Sequence, residues 1–470
     1  MKLFRYRGNR IRAADKDLVI KTAAVPVVSI FLLVLLFFHG KWFMQVEWSQ
    51  VTVESFKKIH ITPYFVISVV TALAVSMISL YLYCYFHYDK VKQLIHRQSL
   101  ARMILQNGWY ESEQIQKASF FKDVNSNRKK EKITYFPKMY YLMKDGEIRI
   151  LVGITMGKYQ EQLQNLEKKL EPGLYCELVE KELKEFFLEY RFLYDMVANR
   201  IRIEEVAARN GALLLMKNLW WEYDRLPHML ISGGTGSGKS YYILIIIKAL
   251  AATNCVIYIL DPKNADLADL ATVMDNVYYR KEDMIACLDK FYEDMMTRSE
   301  KMKTMPGYKT GENYAYLGLP AHFLIFDEYV AFVEMLGSKE REDVLSKLKK
   351  IIMLGRQAGF FLVLACQRPD AKYLGDGIRD QFNFRVALGR MSELGYSMMF
   401  GETNKDFFLK QIKGRGYVDT GTSVISEFYT PLVPKGYDFL EEIGKIVKEK
   451  KQYEIIQKKE EEKEYDIRGN

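Results

Sequence analysis

The 470-residue chain is 49% hydrophobic and carries a formal net charge of +9, from 68 Lys and Arg against 59 Asp and Glu. That composition excludes a chain disordered throughout and allows more than one core, while the mild basic excess suits an anionic partner or membrane face without naming either. The five cysteines (Cys84, Cys176, Cys255, Cys287, Cys366) form no CxxC pair, and beside only six histidines they give no zinc spacing and read as reduced thiols.

From Thr22 to Gly40 there is no Asp, Glu, Lys or Arg, and the run TAAVPVVSIFLLVLLFF approaches the roughly 20 apolar residues that a bilayer requires of a helix. A second uncharged stretch, Ile61 to Tyr88, is long enough to span with some tilt. A cleaved signal peptide fits the first stretch poorly, because its apolar region is too long, no A-x-A site follows and a second span lies downstream. Lys2, Arg5, Arg7, Arg10, Arg12, Lys16 and Lys21 precede the first span, and Lys90, Lys92, Arg97 and Arg102 follow the second. Cytoplasmic ends of spans carry the Lys and Arg excess. Both termini, and everything after residue 88, are therefore expected in the cytoplasm, with Lys41 to His60 as a short outer loop and Trp42, Trp48 and Tyr64 at the outer interface.

Residues 89–210 alternate a helix (Val91 to Gln106), a polar breaker (Lys122 to Lys132), and two strands around Asp145-Gly146, where a DG pair between hydrophobic runs favours a hairpin turn. A helix over Lys158 to Leu170 and strand-like patterning from Leu174 to Tyr194 follow. The pattern predicts a small α+β adaptor module, structural or oligomerising, with no catalytic constellation of its own.

Gly233-Gly234-Thr235-Gly236-Ser237-Gly238-Lys239-Ser240 matches G-x-x-x-x-G-K-[ST], with the strand His228 to Ser232 before it and the apolar helix Tyr241 to Ala252 after it. Glycines are needed because main-chain N–H groups must curl around phosphates in conformations that a Cβ obstructs. The helix amino terminus adds partial positive charge. Lys239 would reach the β and γ phosphates of ATP, and the Ser240 hydroxyl would ligate Mg2+.

Such a loop predicts a second apolar strand ending in an acid, and His322-Phe323-Leu324-Ile325-Phe326-Asp327-Glu328 supplies it. Asp327 would hold the metal through water, and Glu328 would polarise the attacking water as general base. Solvated acids or a helix cap are the competing reading of that pair. The adjacent Glu, with no guanine-reading NKxD motif at the expected place, favours ATP over GTP. Further strands fit a parallel sheet with its site at the carboxyl ends: Cys255 to Leu260 runs into Asp261-Pro262-Lys263, and Phe360 to Ala365 into Cys366-Gln367-Arg368-Pro369. Gln367 is placed to sense the γ phosphate or is a plain strand-end polar residue. Phe384 to Leu388 is another strand, and Arg356, Arg385 and Arg390 are candidates to complete a neighbouring subunit's site in trans or to form structural ion pairs.

PHMLISGGTGSGKS, the following DPK, LIFDEY and GRQAGFFLVLACQRPD together resemble the FtsK/SpoIIIE-type DNA translocases across roughly residues 210–430. The resemblance implies an α/β fold with a RecA-like P-loop NTPase motor working as a homo-hexamer around DNA. By position, Gly233 to Ser240 would bind nucleotide, Asp327 and Glu328 would catalyse, and Gln367 would couple phosphate to movement. The two spans, the YFPKMYY and TMGKYQ segments and the NLWWEYDRLPHML lead-in resemble more specifically the conjugation coupling proteins of integrative conjugative elements from Gram-positive bacteria. In those relatives the motor recruits a relaxase-bound single strand and feeds it to a membrane-spanning type IV secretion channel. The expected organisation is 1–21 basic N-terminus, 22–88 two transmembrane helices, 89–210 adaptor, 211–435 motor and 436–470 charged helical tail. Chromosome-segregating members append a winged-helix reader, whereas here a charged helix, Leu440 to Tyr465, follows the motor, so sequence-guided directionality is not expected. Cys366 stands where Thr is common in the family and is assigned no catalytic role. The competing functions are a double-stranded DNA translocase for chromosome or plasmid partition and a protein-secretion ATPase or docking platform.

Overall fold

In the computed structural model the described residues are 8–45, 62–115, 130–194, 196–209, 211–370, 372–403, 405–408, 412–422 and 424–468. The chain divides into two compact units, Met1–Cys176 with Glu182–Phe192, and Glu177–Lys181 with Leu193–Asn470.

The first unit opens with a short strand, β1 (Asn9–Arg10), and two long helices, α1 (Leu18–Gln45) and α2 (Pro63–Phe86). The start of α2 is set locally: Pro63 has the fixed φ of a first helical residue, and the Thr62 hydroxyl accepts the Phe65 N–H at 3.2 Å. Both helices are long and apolar enough to cross a membrane. Their large side chains face outward, with Leu33 66%, Phe37 85% and Ile67 63% exposed. What α2 buries is small, Ser68, Ala72 and Ser76 at four-residue spacing, which lets helix backbones approach closely. There His39 Nε2 lies 2.7 Å from Ser68 Oγ, and the Tyr64 hydroxyl donates to the Phe38 carbonyl at 3.1 Å. Most of the expected outer loop with Trp48, the Trp42 ring, and Lys2, Arg5 and Arg7 lie outside the described residues.

Helix α3 (Tyr88–Gln106) follows, then β2 (Glu111–Ile115) paired antiparallel with β3 (Lys130–Tyr135). Most of the polar breaker between them lies outside the described residues. β4 (Met139–Lys144) and β5 (Glu147–Gly153) form the expected hairpin, turned by Asp145 at φ 51° and Gly146 at φ 80°, the two positive dihedrals of a type I′ turn. The single helix expected over Lys158 to Leu170 is two, α4 (Gln160–Gln164) and α5 (Glu167–Leu174). The break has a partner in the fold: the buried Tyr190 hydroxyl reaches the carbonyls of Leu163 (3.1 Å) and Gln164 (2.6 Å), so the last carbonyls of α4 are satisfied without helix continuation. Strands β6 (Cys176–Lys184) and β7 (Phe187–Tyr194) complete a five-stranded sheet of order β1-β4-β5-β7-β6.

The second unit begins with a small antiparallel sheet, β8 (Ala208–Arg209), β9 (Ala212–Met216) and β10 (Leu219–Glu222). Its Trp221 is fully buried, with ring centroids 5.9 Å from both Phe323 and Phe384. The large sheet follows: β11 (Met229–Gly233), helix α6 (Lys239–Ala251), β12 (Val256–Leu260), β13 (Val277–Tyr278), helix α7 (Lys281–Met302), β14 (His322–Phe326), helices α8 (Tyr329–Glu334) and α9 (Ser338–Ala358), and β15 (Phe360–Cys366). After α10 (Asp376–Arg379) come β16 (Phe384–Leu388), α11 (Glu393–Phe400), β17 (Arg415–Asp419), β18 (Ile425–Tyr429) and the long α12 (Phe439–Arg468).

Strand order is β13-β12-β14-β15-β11-β16-β17-β18, with β13 through β16 parallel and the last two strands antiparallel. The strands read as continuous apolar runs because both faces are covered. Alternate residues divide between two cores: Ile231, Ile259, Ile325 and Val363 pack with α6 and the start of α12, whereas Leu230, Leu260, Leu324 and Leu362 pack with α7, α8 and α9. This is the α/β nucleotide-binding architecture expected from the motifs. The chain leaves β11 for β12 across two intervening strands, while β16 lies on its other side, so β11 ends where ligands bind in open parallel sheets.

Candidate active site

Four neighbouring strands, β12, β14, β15 and β11, deliver their carboxyl ends side by side, and each carries one part of the site. β11 ends in the glycine loop. Gly236 (φ 77°) and Gly238 (φ 97°) adopt the left-handed conformation that turns main-chain N–H groups inward, and Lys239 is the first residue of α6. A Cβ on Gly233 would stand 2.6 Å from both the Leu388 carbonyl and Ser237 Oγ, so the first glycine is demanded by packing. Gly234 and Thr235 form the loop's outer rim, where Gly234 has nothing within 4 Å of a Cβ position. Ser237 Oγ is buried inside the loop without a hydrogen-bond partner.

The expected strand His228 to Ser232 starts one residue later. His228 has φ 65° and cannot join the ladder. Its fully buried ring instead clamps three elements: Nδ1 accepts the Leu362 N–H of β15 at 3.0 Å, leaving Nε2–H to donate to the Ile352 carbonyl of α9 at 3.0 Å. Burial holds this imidazole neutral and lowers its pKa to about 4.

β14 delivers Asp327 and Glu328, only 6% and 5% exposed. The Asp327 carboxylate lies 3.5 Å from the Ser240 hydroxyl, at the outer limit of hydrogen-bond reach. Burial above all, then the charges of Asp261 and Glu328, raise its pKa to about 6 against the opposing Lys239 and Lys263. A divalent cation between the Ser240 hydroxyl and Asp327 would relieve that repulsion, so the donor set fits magnesium. Among the described residues no group of three or more His, Cys, Asp or Glu is placed to hold a metal by itself. The Lys239 ammonium donates to the Gly233 carbonyl at 2.8 Å and lies 3.5 Å from Glu328 Oε2, folded back over the cradle its chemistry would serve.

Gln367 stands at the end of β15 with its side chain exposed. Its main chain is fixed in the site: its N–H donates to Glu328 Oε1 at 3.1 Å and its carbonyl accepts from Ser232 Oγ at 3.1 Å. Cys366 beside it is fully buried, and burial pushes its thiol up to about 12. None of the five cysteines is in a disulfide.

The arginines separate. Arg385 is engaged within its own chain, Nε donating to the Phe382 carbonyl at 2.7 Å, Nη1 to that of Met399 at 3.1 Å, and Nη2 3.5 Å from Asp380, which is the structural alternative. Arg356, on α9, and Arg390, just after β16, are exposed.

Two residues of the site were given no role by sequence reasoning. Asp261, at the end of β12, is fully buried and accepts the N–H groups of Lys263 (3.1 Å), Ala265 (2.8 Å) and Ala268 (3.0 Å). Lys263 then places its Nζ 3.1 Å from Glu328 Oε2. The available signal was a strand-end acid followed by proline and a cation, in the strand adjoining Asp327.

A glycine loop at a helix amino terminus, with an acid pair on a neighbouring strand of a doubly covered parallel sheet, defines a P-loop ATPase. The FtsK/SpoIIIE family profile matches residues 215–318, and the FtsK domain-containing protein YdcQ of Bacillus subtilis (strain 168) is 47% identical over 443 residues, 94% of this chain and 91% of that one. The chain belongs to the FtsK/SpoIIIE family. The DNA translocase FtsK of Helicobacter pylori strain J99 is 26% identical over 249 residues, half of this chain (50%) but only 28% of that longer protein. Among solved structures, the monomer of the pCW3 conjugation coupling protein TcpA with ATPγS aligns over 67% of this chain and 93% of its own, at 18% identity and a TM-score of 0.48.

Proposed function

We propose that this protein is a membrane-anchored, ATP-driven DNA translocase that serves as the coupling protein of a conjugation system, passing relaxase-bound DNA to a membrane-spanning type IV channel. The observation that carries the motor reading is the row of neighbouring strand ends that sets Ser240 against Asp327 and both Lys239 and the Gln367 main chain against Glu328. In this reading α1 and α2 cross the membrane with both termini in the cytoplasm, residues 89–210 form the adaptor, and residues 211–435 form a motor that assembles as a hexamer. The conjugation assignment rests on the resemblance of the spans and middle segments to coupling proteins.

ATP binds with its phosphates in the loop Gly233 to Ser240. Lys239 leaves the Gly233 carbonyl and Glu328 to meet the β and γ phosphates, and the buried Ser237 hydroxyl gains an acceptor. Ser240 and Asp327 would hold magnesium, which would neutralise phosphate charge when bound. Glu328 takes the proton of the water that attacks the γ phosphorus, and ADP and phosphate leave. Gln367, whose main chain touches Glu328, reports the γ phosphate to the segment after β15, and an exposed arginine, Arg356 or Arg390, completes a neighbour's site. Contacts to DNA are phosphate-directed, because a translocase must ignore sequence.

The test is a mating assay in a strain lacking this protein, complemented with wild type or Glu328→Gln, alongside hydrolysis measured with single-stranded and duplex DNA. Transfer restored by wild type alone is the expected result. Undiminished transfer without the protein overturns the conjugation assignment, and strict duplex dependence moves the function to chromosome or plasmid partition.

A further inference from the structure

The Glu328 carboxylate is held from three sides. Oε1 accepts the Gln367 N–H at 3.1 Å, and Oε2 faces Lys263 Nζ at 3.1 Å and Lys239 Nζ at 3.5 Å. Its side chain is 7% exposed, and Oε2, faced by both ammoniums, opens to a water only when one of them withdraws. One of the three has a reason to leave when nucleotide arrives, because the Lys239 ammonium is drawn to the phosphates. Lys263 has no such reason.

Lys263 is held by its backbone, not by chance contact. Asp261 fixes the loop by accepting three main-chain N–H groups, that of Lys263 among them, and Pro262 locks the dihedral just before it. The ammonium is the mobile part, on a flexible stem and 43% exposed. A charged hydrogen bond from a half-exposed lysine to a buried carboxylate is strong enough to hold and open enough for an outside anion to compete.

We propose that Lys263 is a positioning residue that restrains Glu328 in the unloaded, ATP-bound motor, and that a phosphodiester of the DNA load releases it by drawing the ammonium away. The inference rests on the reading of Glu328 as general base. It places the control of hydrolysis on the loop that follows β12, one strand over from the acid it governs.

The test uses the full-length protein in detergent or nanodiscs, with steady-state hydrolysis measured without DNA, with a single-stranded oligonucleotide and with linear duplex. Lys263→Met is expected to raise the DNA-free kcat about tenfold, equal to about 1.4 kcal/mol of lost restraint, with KM for ATP unchanged and less further gain from DNA. Lys263→Arg restores the low DNA-free rate, which a generic packing defect at this loop would not do. Lys263→Gln, isosteric enough to fold if Met is not tolerated, is expected to behave as Met does. A DNA-free kcat that stays at the wild-type value or falls in the uncharged variants overturns the proposal. Hydrolysis that persists in Glu328→Gln overturns the general-base reading instead, and absence of any DNA effect on wild type overturns the DNA reading while the DNA-free rates still decide the role of Lys263.

Discussion

The Lys239 ammonium lies 3.5 Å from Glu328 Oε2 and 2.8 Å from the Gly233 carbonyl, so the cation of the phosphate loop is bound to the loop itself and to the acid across the site. Two variants separate the partners. Lys239→Ala should abolish tight nucleotide binding, whereas Glu328→Gln should bind ATP and fail to turn it over, with kcat lower by about a hundredfold or more. Titration with a fluorescent ATP analogue beside steady-state hydrolysis reads both, and a Glu328→Gln protein that hydrolyses at the wild-type rate contradicts the assignment.

Asp327 carries a folded-state pKa raised to about 6 from an ordinary 3.8, mainly by burial. Above pH 6 its ionised form is therefore a liability to the nucleotide-free fold, and that penalty fades as pH falls toward the unfolded value. Asp327→Asn should melt higher than wild type at pH 7.5 in chelator, by an amount of order 1–3 kcal/mol. Added Mg2+ with ATP should stabilise wild type and not the variant. A variant that melts lower than wild type in chelator would show that Asp327 is structurally required in its charged form.

Three buried imidazoles titrate in the opposite sense. Burial lowers His228 to about 4, burial and Lys92 lower His96 to about 4, and burial and Arg298 lower His322 to about 3, each from 6.5. The unfolded chain binds these protons first, so the stability they support is complete above about pH 6.5 and is lost as pH falls toward 4. For fully buried His228 the loss is of order 3 kcal/mol. His228→Gln should melt lower at pH 7.5, but its melting temperature should fall less between pH 7.5 and 5 than that of wild type. Parallel pH dependences would exclude His228 as a contributor.

Gly389 lies outside every recognised motif, yet it has φ 72° and a Cβ there would stand 2.9 Å from the Ser237 Cβ of the phosphate loop. Gly389→Ala should strain its own backbone by about 1 kcal/mol and push the loop, weakening ATP binding roughly tenfold. Calorimetric titration against Gly375→Ala, where a Cβ meets nothing within 4 Å, provides the comparison, and equal affinities would refute the coupling.

Arg385 and Arg356 should part company. Removal of Arg385 strands the carbonyls of Phe382 and Met399, so Arg385→Ala should lower stability by roughly 1–3 kcal/mol whether or not subunits assemble. Arg356→Ala, at an exposed site, should leave the melting temperature unchanged and lose activity only if it serves a neighbour. Mixing it with Glu328→Gln subunits, whose own sites are dead but whose arginines are intact, should then recover part of the rate.

Much of this was readable from local pattern. The glycine loop, the apolar strand ending in Asp327-Glu328 and the Asp145-Gly146 hairpin each depend on residues close in the chain, because loop conformation, strand burial and turn dihedrals are short-range properties. The division of the expected Lys158 to Leu170 helix was not readable, since its cause is Tyr190, more than twenty residues away. Nor was the exclusion of His228 from its strand, where a hydrogen bond to Leu362 and another to Ile352 override an apolar run.

The chain order of motifs by itself determined the α/β class, the phosphate loop, the acid pair and the two apolar helices, because each is written in consecutive residues whose chemistry does not depend on distant neighbours. Strand order was decided only by packing. It set β12 beside β14 and brought Lys263 onto Glu328, separated by 65 positions in the chain, and it took Arg385 into bonds with its own chain. Loop and strand signals survive in sequence because they are local, whereas the pairing of charges at a site is a property of which strand ends become neighbours, and burial of both sheet faces is what chooses that.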